Sequence, residues 1–169
     1  MADKRLFFAL WPSQEQRELL VERVDPLLAA VAGRHVDRQN WHVTLVFIGN
    51  FPEERIGELQ SAAAAIPAVR FSLCFDSLEY WKKPRIASLR ANAVPESLEK
   101  LVDSLKRTMI PFGYPPETRP YRPHITVARK VRRFDDSRLA QPVRLAWSNF
   151  ELVESVSVPG GVRYCPLKQ

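Results

Sequence analysis

Cysteine, histidine and long apolar runs are all scarce in this chain. The two cysteines among 169 residues, Cys74 and Cys165, make neither a metal-ligand spacing nor a disulfide framework. A fold stapled by metal or disulfide is not expected, no metal or cofactor is implied, and the expected compartment is the reducing cytoplasm. No stretch approaches the roughly 20 apolar residues of a membrane span. The opening LFFALW is apolar but short, and a polar helix-like pattern follows it, so no secretory signal is expected.

What is present is ordinary for a soluble protein, with 46% hydrophobic and 26% charged residues. That is enough apolar material for a core without staples. The formal net charge of +6 favours an anionic partner. Of the three histidines, two stand in the same frame: WHVTLVF carries His42 and Thr44, and PHITVAR carries His124 and Thr126. His35 lacks that frame, lies in a polar stretch, and reads as a surface residue.

The two frames sit in halves that repeat an order of elements. In the first half a short apolar strand (Lys4–Leu10) precedes an amphipathic helix with Ser13 and Gln16 in a capping-box frame. Gly33 is expected to end it. A polar loop leads to the first His-x-Thr strand. Then come a helix over Pro52–Ile66 and a strand in VRFSLCFDSLEYW. The second half runs strand (Arg85–Ala91), helix (Val94–Ile110), Pro-rich loop and second His-x-Thr strand. After these come a segment with DDSRLAQ that suits a helical turn, a long strand in VRLAWSNFELVESVSV, and a terminal strand in GVRYCPL.

The offset between the two histidines matches that between the strands starting at Arg5 and Arg85 to within two residues. We read residues 1–169 as a single two-lobed domain born of internal duplication, with motifs at 42–45 and 124–127. The expected fold is α+β, with two pseudo-symmetric lobes. Each is an antiparallel sheet with helices on its outer face, and together they enclose a central cleft.

Strand geometry then gives the spacing its meaning. Residues i and i+2 share a face, so His42 projects with Thr44, and His124 with Thr126. Val43, Leu45, Ile125 and Val127 point into the core. Two imidazoles facing one cleft can serve as general acid and general base at once, because their ordinary pKa lies near 6.5. Threonine hydroxyls can donate to the non-bridging oxygens of a phosphodiester as those oxygens gain charge. Threonine is a poor metal ligand, and neither histidine has a carboxylate beside it.

The pair HVTL and HITV resembles the H-x-T-x motifs of the 2H phosphoesterase superfamily. Within it, RLFFAL, WHVTLVFIGNF and RPHITVARK resemble the bacterial and archaeal RNA 2′,3′-cyclic phosphodiesterases, historically called 2′-5′ RNA ligases. The resemblance covers essentially the whole chain. It implies metal-independent opening of cyclic phosphate ends of RNA to 2′-phosphates by a cytoplasmic monomer. RNA ends, tRNA fragments among them, would be the partners, with no membrane involved. It also implies His42 as proton donor, His124 as proton acceptor, and Thr44, Thr126 and Arg129 as substrate-binding residues. Two alternatives stand beside it: a 2′-5′ RNA ligase working on a 5′-hydroxyl RNA, and a non-catalytic RNA-end-binding module. ATP-driven ligation is not expected, since no nucleotidyltransferase lysine motif or phosphate-cradling glycine loop is visible.

The halves differ five residues after the histidine, where one has Phe47 and the other Arg129. Strict alternation turns both away from the cleft, so they reach it only where the strand bulges or ends. Core packing is the favoured reading for Phe47. Basic residues in WKKPR (Trp81–Arg85), with Arg119, Arg122, Lys130, Arg132 and Arg133, suit a rim that tracks an RNA strand.

Overall fold

β1 (Asp3–Leu10) is buried without a break from Leu6 onward, because both of its faces are covered. Leu6, Phe8 and Leu10 enter the main core, while Phe7 and Ala9 pack with Val153 on the other face. The computed structural model describes residues 2–168. After β1 come α1 (Gln14–Leu28), β2 (Arg34–His35), β3 (Val43–Pro52), α2 (Ile56–Ala64) and β4 (Phe71–Trp81). Then follow β5 (Ile86–Ala91), α3 (Glu96–Met109), β6 (His124–Arg129), β7 (Ser137–Trp147), β8 (Glu151–Val158) and β9 (Gly161–Pro166).

The strands form two antiparallel sheets, ordered β3-β1-β8-β9 and β2-β6-β5-β4-β7. This is the expected α+β arrangement, but the sequence halves are not the lobes. β4 belongs to the first half and pairs with β5, whereas β8 belongs to the second half and pairs with β1. With β9 beside β8 and β2 beside β6, each sheet is completed by two strands from the other half. The helices cross over too: α1 packs against β7 and α3 against β3. Side chains of both sheets share one continuous core.

Local expectations fare unevenly. The Ser13–Gln16 capping box forms. α1 nevertheless stops at Leu28, with Ala29 as its C-cap, rather than at Gly33. Gly33 has a different reason to be glycine: a Cβ there would lie 2.9 Å from the Val131 backbone. α2 begins at Ile56, after a 3-10 turn over Glu53–Arg55, not at Pro52. α3 buries Leu98, Leu101, Val102, Leu105 and Met109, the three-and-four spacing of an amphipathic helix.

The DDSRLAQ segment holds no helical turn, since β7 starts at Ser137 and buries Leu139. The long strand expected after it is broken between Trp147 and Glu151, and its parts join different sheets. Among the described residues, no helix is long and apolar enough to cross a membrane.

Candidate active site

The turn before the first motif is held by buried polar groups. Asn40 donates from its amide to the Val162 carbonyl at 2.9 Å and accepts from the Tyr164 backbone N–H at 3.0 Å, tying the turn to β9. Arg17, only 3% exposed, reaches up from α1. Its guanidinium donates to the carbonyls of Arg38 at 2.6 Å, Trp41 at 2.7 Å and Pro12 at 3.4 Å. A buried cation is tolerable only where such acceptors surround it.

That framework sets His42. Its Nδ1–H donates to the Asn40 carbonyl at 2.7 Å. A carbonyl only accepts, so the proton of the neutral ring is on Nδ1 and Nε2 is the reactive atom. Thr44 lies beside it, with its Oγ1 at 2.9 Å from Nε2. His124 repeats the arrangement, its Nδ1–H donating to the Arg122 carbonyl at 2.7 Å. In both halves the clamp is the carbonyl two residues upstream.

The next residues explain how position five reaches the cleft. In β3 the pairing jumps from Ala9↔Thr44 to Phe8↔Val46, so Leu45 is an extra residue. In β6 it jumps from Ser88↔Thr126 to Ala87↔Ala128, so Val127 is extra. Both strands bulge three residues after the histidine, and the bulge flips the alternation beyond it. Phe47 and Arg129 thus turn to the same face as the motif residues. Phe47 is 59% exposed, with the Arg5 guanidinium 4.9 Å from its ring centre, which overturns its expected place in the core.

His42, Thr44, His124, Thr126, Arg129 and Phe47 line one cleft of about 680 Å³. That is within the roughly 300–1,000 Å³ of small-ligand sites. His35, a surface residue as the sequence suggested, stands at the wall of this cleft. It is exposed, and it gets there because β2 adds to the edge of β6 beside Arg129. Its Nε2 lies 2.9 Å from the Val31 carbonyl. Arg5, Asn40 and Tyr164 also line the cleft, and the sequence reading missed them.

Burial is the main cause that depresses both histidines below their ordinary pKa. His42 drops to about 4, through burial first and then the positive charges of Arg129 and Arg17, with His124 also facing it. Phe7, Trp11 and Tyr164 surround the His42 ring, at 4.8, 5.9 and 5.1 Å between centres. The His124 pKa is lowered by burial and by the charges of Arg122 and Arg129. Trp81 packs on it at 4.4 Å. Among the described residues, no cluster of three or more His, Cys, Asp or Glu side chains could hold a metal.

The family model for LigT-like phosphoesterases matches this chain twice, over residues 10–88 and 89–164. The chain belongs to the LigT-like phosphoesterase family. It is 31% identical to the RNA 2′,3′-cyclic phosphodiesterase of Escherichia coli K12, over 98% of this chain and 95% of that protein. The Thermotoga maritima protein of the same name is 26% identical over 95% of this chain and 91% of its own length. The crystal structure of E. coli LigT complexed with 3′-AMP superposes with a TM-score of 0.88 at 30% identity, covering 98% of this chain and 96% of that one. The phosphodiesterase domain of MHV ns2 shares the fold at a TM-score of 0.57 and 16% identity. In this LigT-like phosphoesterase the two family matches meet between Ser88 and Leu89, and each contains one histidine clamp with a bulge three residues after it.

Proposed function

We propose that this LigT-like phosphoesterase hydrolyses the 2′,3′-cyclic phosphodiester ends of RNA to 2′-phosphomonoesters, without a metal, by general acid–base catalysis. The observation that carries the reading is the matched pair of Nδ1–H clamps. They leave two reactive Nε2 atoms for a cleft that also holds Thr44, Thr126 and Arg129. The curated relatives are named RNA 2′,3′-cyclic phosphodiesterases, and the E. coli LigT structure holds 3′-AMP, which supports an RNA-derived substrate.

In the proposed step His124 Nε2 takes a proton from water as the water oxygen attacks phosphorus. The bond from phosphorus to O3′ breaks, and His42 Nε2–H gives its proton to the departing 3′-oxygen. The product is a 2′-phosphate with a free 3′-hydroxyl. Thr44, Thr126 and Arg129 hold the non-bridging oxygens, where charge builds in the transition state. The donor role of His42 comes from the family pattern, and its depressed pKa bears on it in two ways. A low pKa makes the protonated ring a strong acid, but few molecules carry that proton near pH 7 in the free protein. An anionic phosphate beside the ring raises the pKa and restores the proton. The two matches of the family model support the reading of one two-lobed catalytic unit born of duplication.

The test is product analysis on an oligonucleotide ending in a 2′,3′-cyclic phosphate, with EDTA present. A 2′-phosphate product is expected. A 3′-phosphate product would reverse the leaving oxygen, and loss of turnover in EDTA would overturn metal independence. With a 5′-hydroxyl RNA in place of water, the same groups in the same roles join ends through a 2′-5′ bond: His124 takes the 5′-hydroxyl proton and His42 protonates the departing 3′-oxygen. Adding such an RNA to the assay tests that second reading.

A further inference from the structure

A second and larger groove, of about 1280 Å³, opens beside the catalytic cleft. The two share Thr44, Phe47 and His124. One part of its lining is the turn Trp81–Pro84, and another is the Pro-rich segment Tyr114–Arg122. A cyclic phosphate carried on one nucleoside needs only the smaller cleft. A space this size continuing from the phosphate position has room for more than one nucleotide.

The chemistry of the lining says what kind. Trp81, Tyr114 and Tyr121 alternate with prolines and cations. Flat apolar faces interleaved with basic side chains suit unpaired bases on a phosphate backbone. Lys106 donates to the Glu117 carbonyl, and Arg119 pairs with the Glu117 carboxylate, so those two cations order the loop itself. Lys82 and Lys83 are exposed and make no ion pair among the described residues. Arg122 lies over the Trp81 ring at 4.3 Å and extends the stack that begins at His124.

The groove is also coupled to the motif. Tyr121 donates its hydroxyl to the Thr44 carbonyl at 2.9 Å, so the Pro-rich wall is fixed to the strand that carries the first histidine. We infer that this groove is a binding site for a single-stranded ribonucleotide segment of two or more residues contiguous with the scissile phosphate, and that Lys82 and Lys83 contact its backbone. The inference rests on the reading of the cleft as an RNA-end phosphodiesterase. It makes the preferred substrate an oligonucleotide rather than a cyclic mononucleotide.

The segment can come from two sources: the RNA body upstream of the cyclic end, or a 5′-hydroxyl strand entering opposite it. Wild-type protein and the double variant Lys82→Ala/Lys83→Ala are compared on 2′,3′-cyclic AMP and on a hexanucleotide with a cyclic end. Circular dichroism reports the fold of the variant. The ratio of hexanucleotide to mononucleotide kcat/KM is expected to fall by about tenfold at low salt, and its salt slope by roughly 0.7 for each phosphate no longer neutralised. An unchanged ratio overturns the site. Inhibition of cyclic AMP turnover by a 5′-hydroxyl hexanucleotide, weakened in the double variant, assigns the groove to the entering strand. A ratio effect without such inhibition assigns it to the RNA body. If the wild type turns over neither substrate, the catalytic reading falls, and the groove is judged by fluorescence anisotropy of labelled hexanucleotide. Equal anisotropy for wild type and variant then rejects the groove, and weaker binding by the variant supports it.

Discussion

Beneath His42 lie Phe7, Trp11 and Tyr164, all aromatic. Beneath His124 the equivalent strand positions carry Ser88 and Arg90, registered opposite Thr126 and His124. Ala9 holds the place of Ser88 in the first lobe, and Trp11, one residue past β1, holds that of Arg90. The two central strands also face equivalent carboxylates. Glu79 accepts from Arg90 at 2.9 Å and from the Trp81 indole at 3.3 Å. Glu151, across from Ala9, is pushed up in pKa by burial. The same backbone clamp and bulge therefore rest on three aromatic rings in one lobe, and on Trp81 with the Arg90–Glu79 ion pair in the other. That difference gives the repeated motif two unlike surroundings. Burial lowers the pKa of both rings, to about 4 at His42, and the charges of Arg122 and Arg129 add to it at His124.

The largest effect tests whether both lobes are needed at all. His42→Ala and His124→Ala should each lower kcat by about 10²–10⁴-fold with the fold retained. Near-wild-type turnover in either would reduce the comparison to one working lobe. The next tests the pair that the bulges bring to the cleft. Arg129→Ala should lower kcat by about 10²-fold, as loss of a donor to developing charge does. Phe47→Ala should mainly raise KM, by about tenfold, if a base stacks on the ring. If the two variants change the same kinetic constant, the equivalent positions have not divided their roles.

A smaller effect lies in pH. The kcat/KM profile should be bell-shaped, with its acid limb near the His42 pKa of about 4 in the free protein. Burial and the Arg129 charge both lower that value. Trp11→Ala, which admits water, and Arg129→Ala, which removes charge, should each move the limb to higher pH. A limb that does not move in either variant would show that these surroundings do not tune the ring. Stability follows the same sign. The unfolded chain takes up this proton near pH 6.5, before the folded chain does. The stability from a neutral His42 is thus held above that pH and lost as pH falls towards 4.

The smallest effect concerns Arg17. Lysine keeps its charge but cannot reach three carbonyls, so Arg17→Lys should cost roughly 1.5–3 kcal/mol in denaturant unfolding. It should also lower kcat by a few-fold while leaving KM nearly unchanged. An unaltered midpoint would mean that the turn before His42 holds itself.

Much of this was legible in the chain. The His-x-Thr frames, the matched offsets of the halves and the α3 periodicity are local patterns, and local patterns follow from chain geometry alone. The Ser13 cap was equally plain. The exposure of His35 was legible too, but its place at the cleft was not, because that depends on β2 adding to β6, a contact between distant segments. Arg17 and Asn40 were invisible for the same reason. Nothing in their neighbourhood tells a buried arginine on three carbonyls from a solvated one.

By itself the sequence determined that two imidazole–hydroxyl pairs would stand on one face of two strands, because side chains alternate with a period of two. Only the tertiary structure decided what surrounds them. Strand exchange between the halves brought β8 and β9 under His42, and β4 under His124. The bulges at Leu45 and Val127 turned Phe47 and Arg129 into the cleft. A bulge changes the pairing partner rather than the residue pattern, and a partner strand lies far along the chain. The alternation rule therefore holds up to Thr44 and Thr126, and beyond them the register against β1 and β5 takes over.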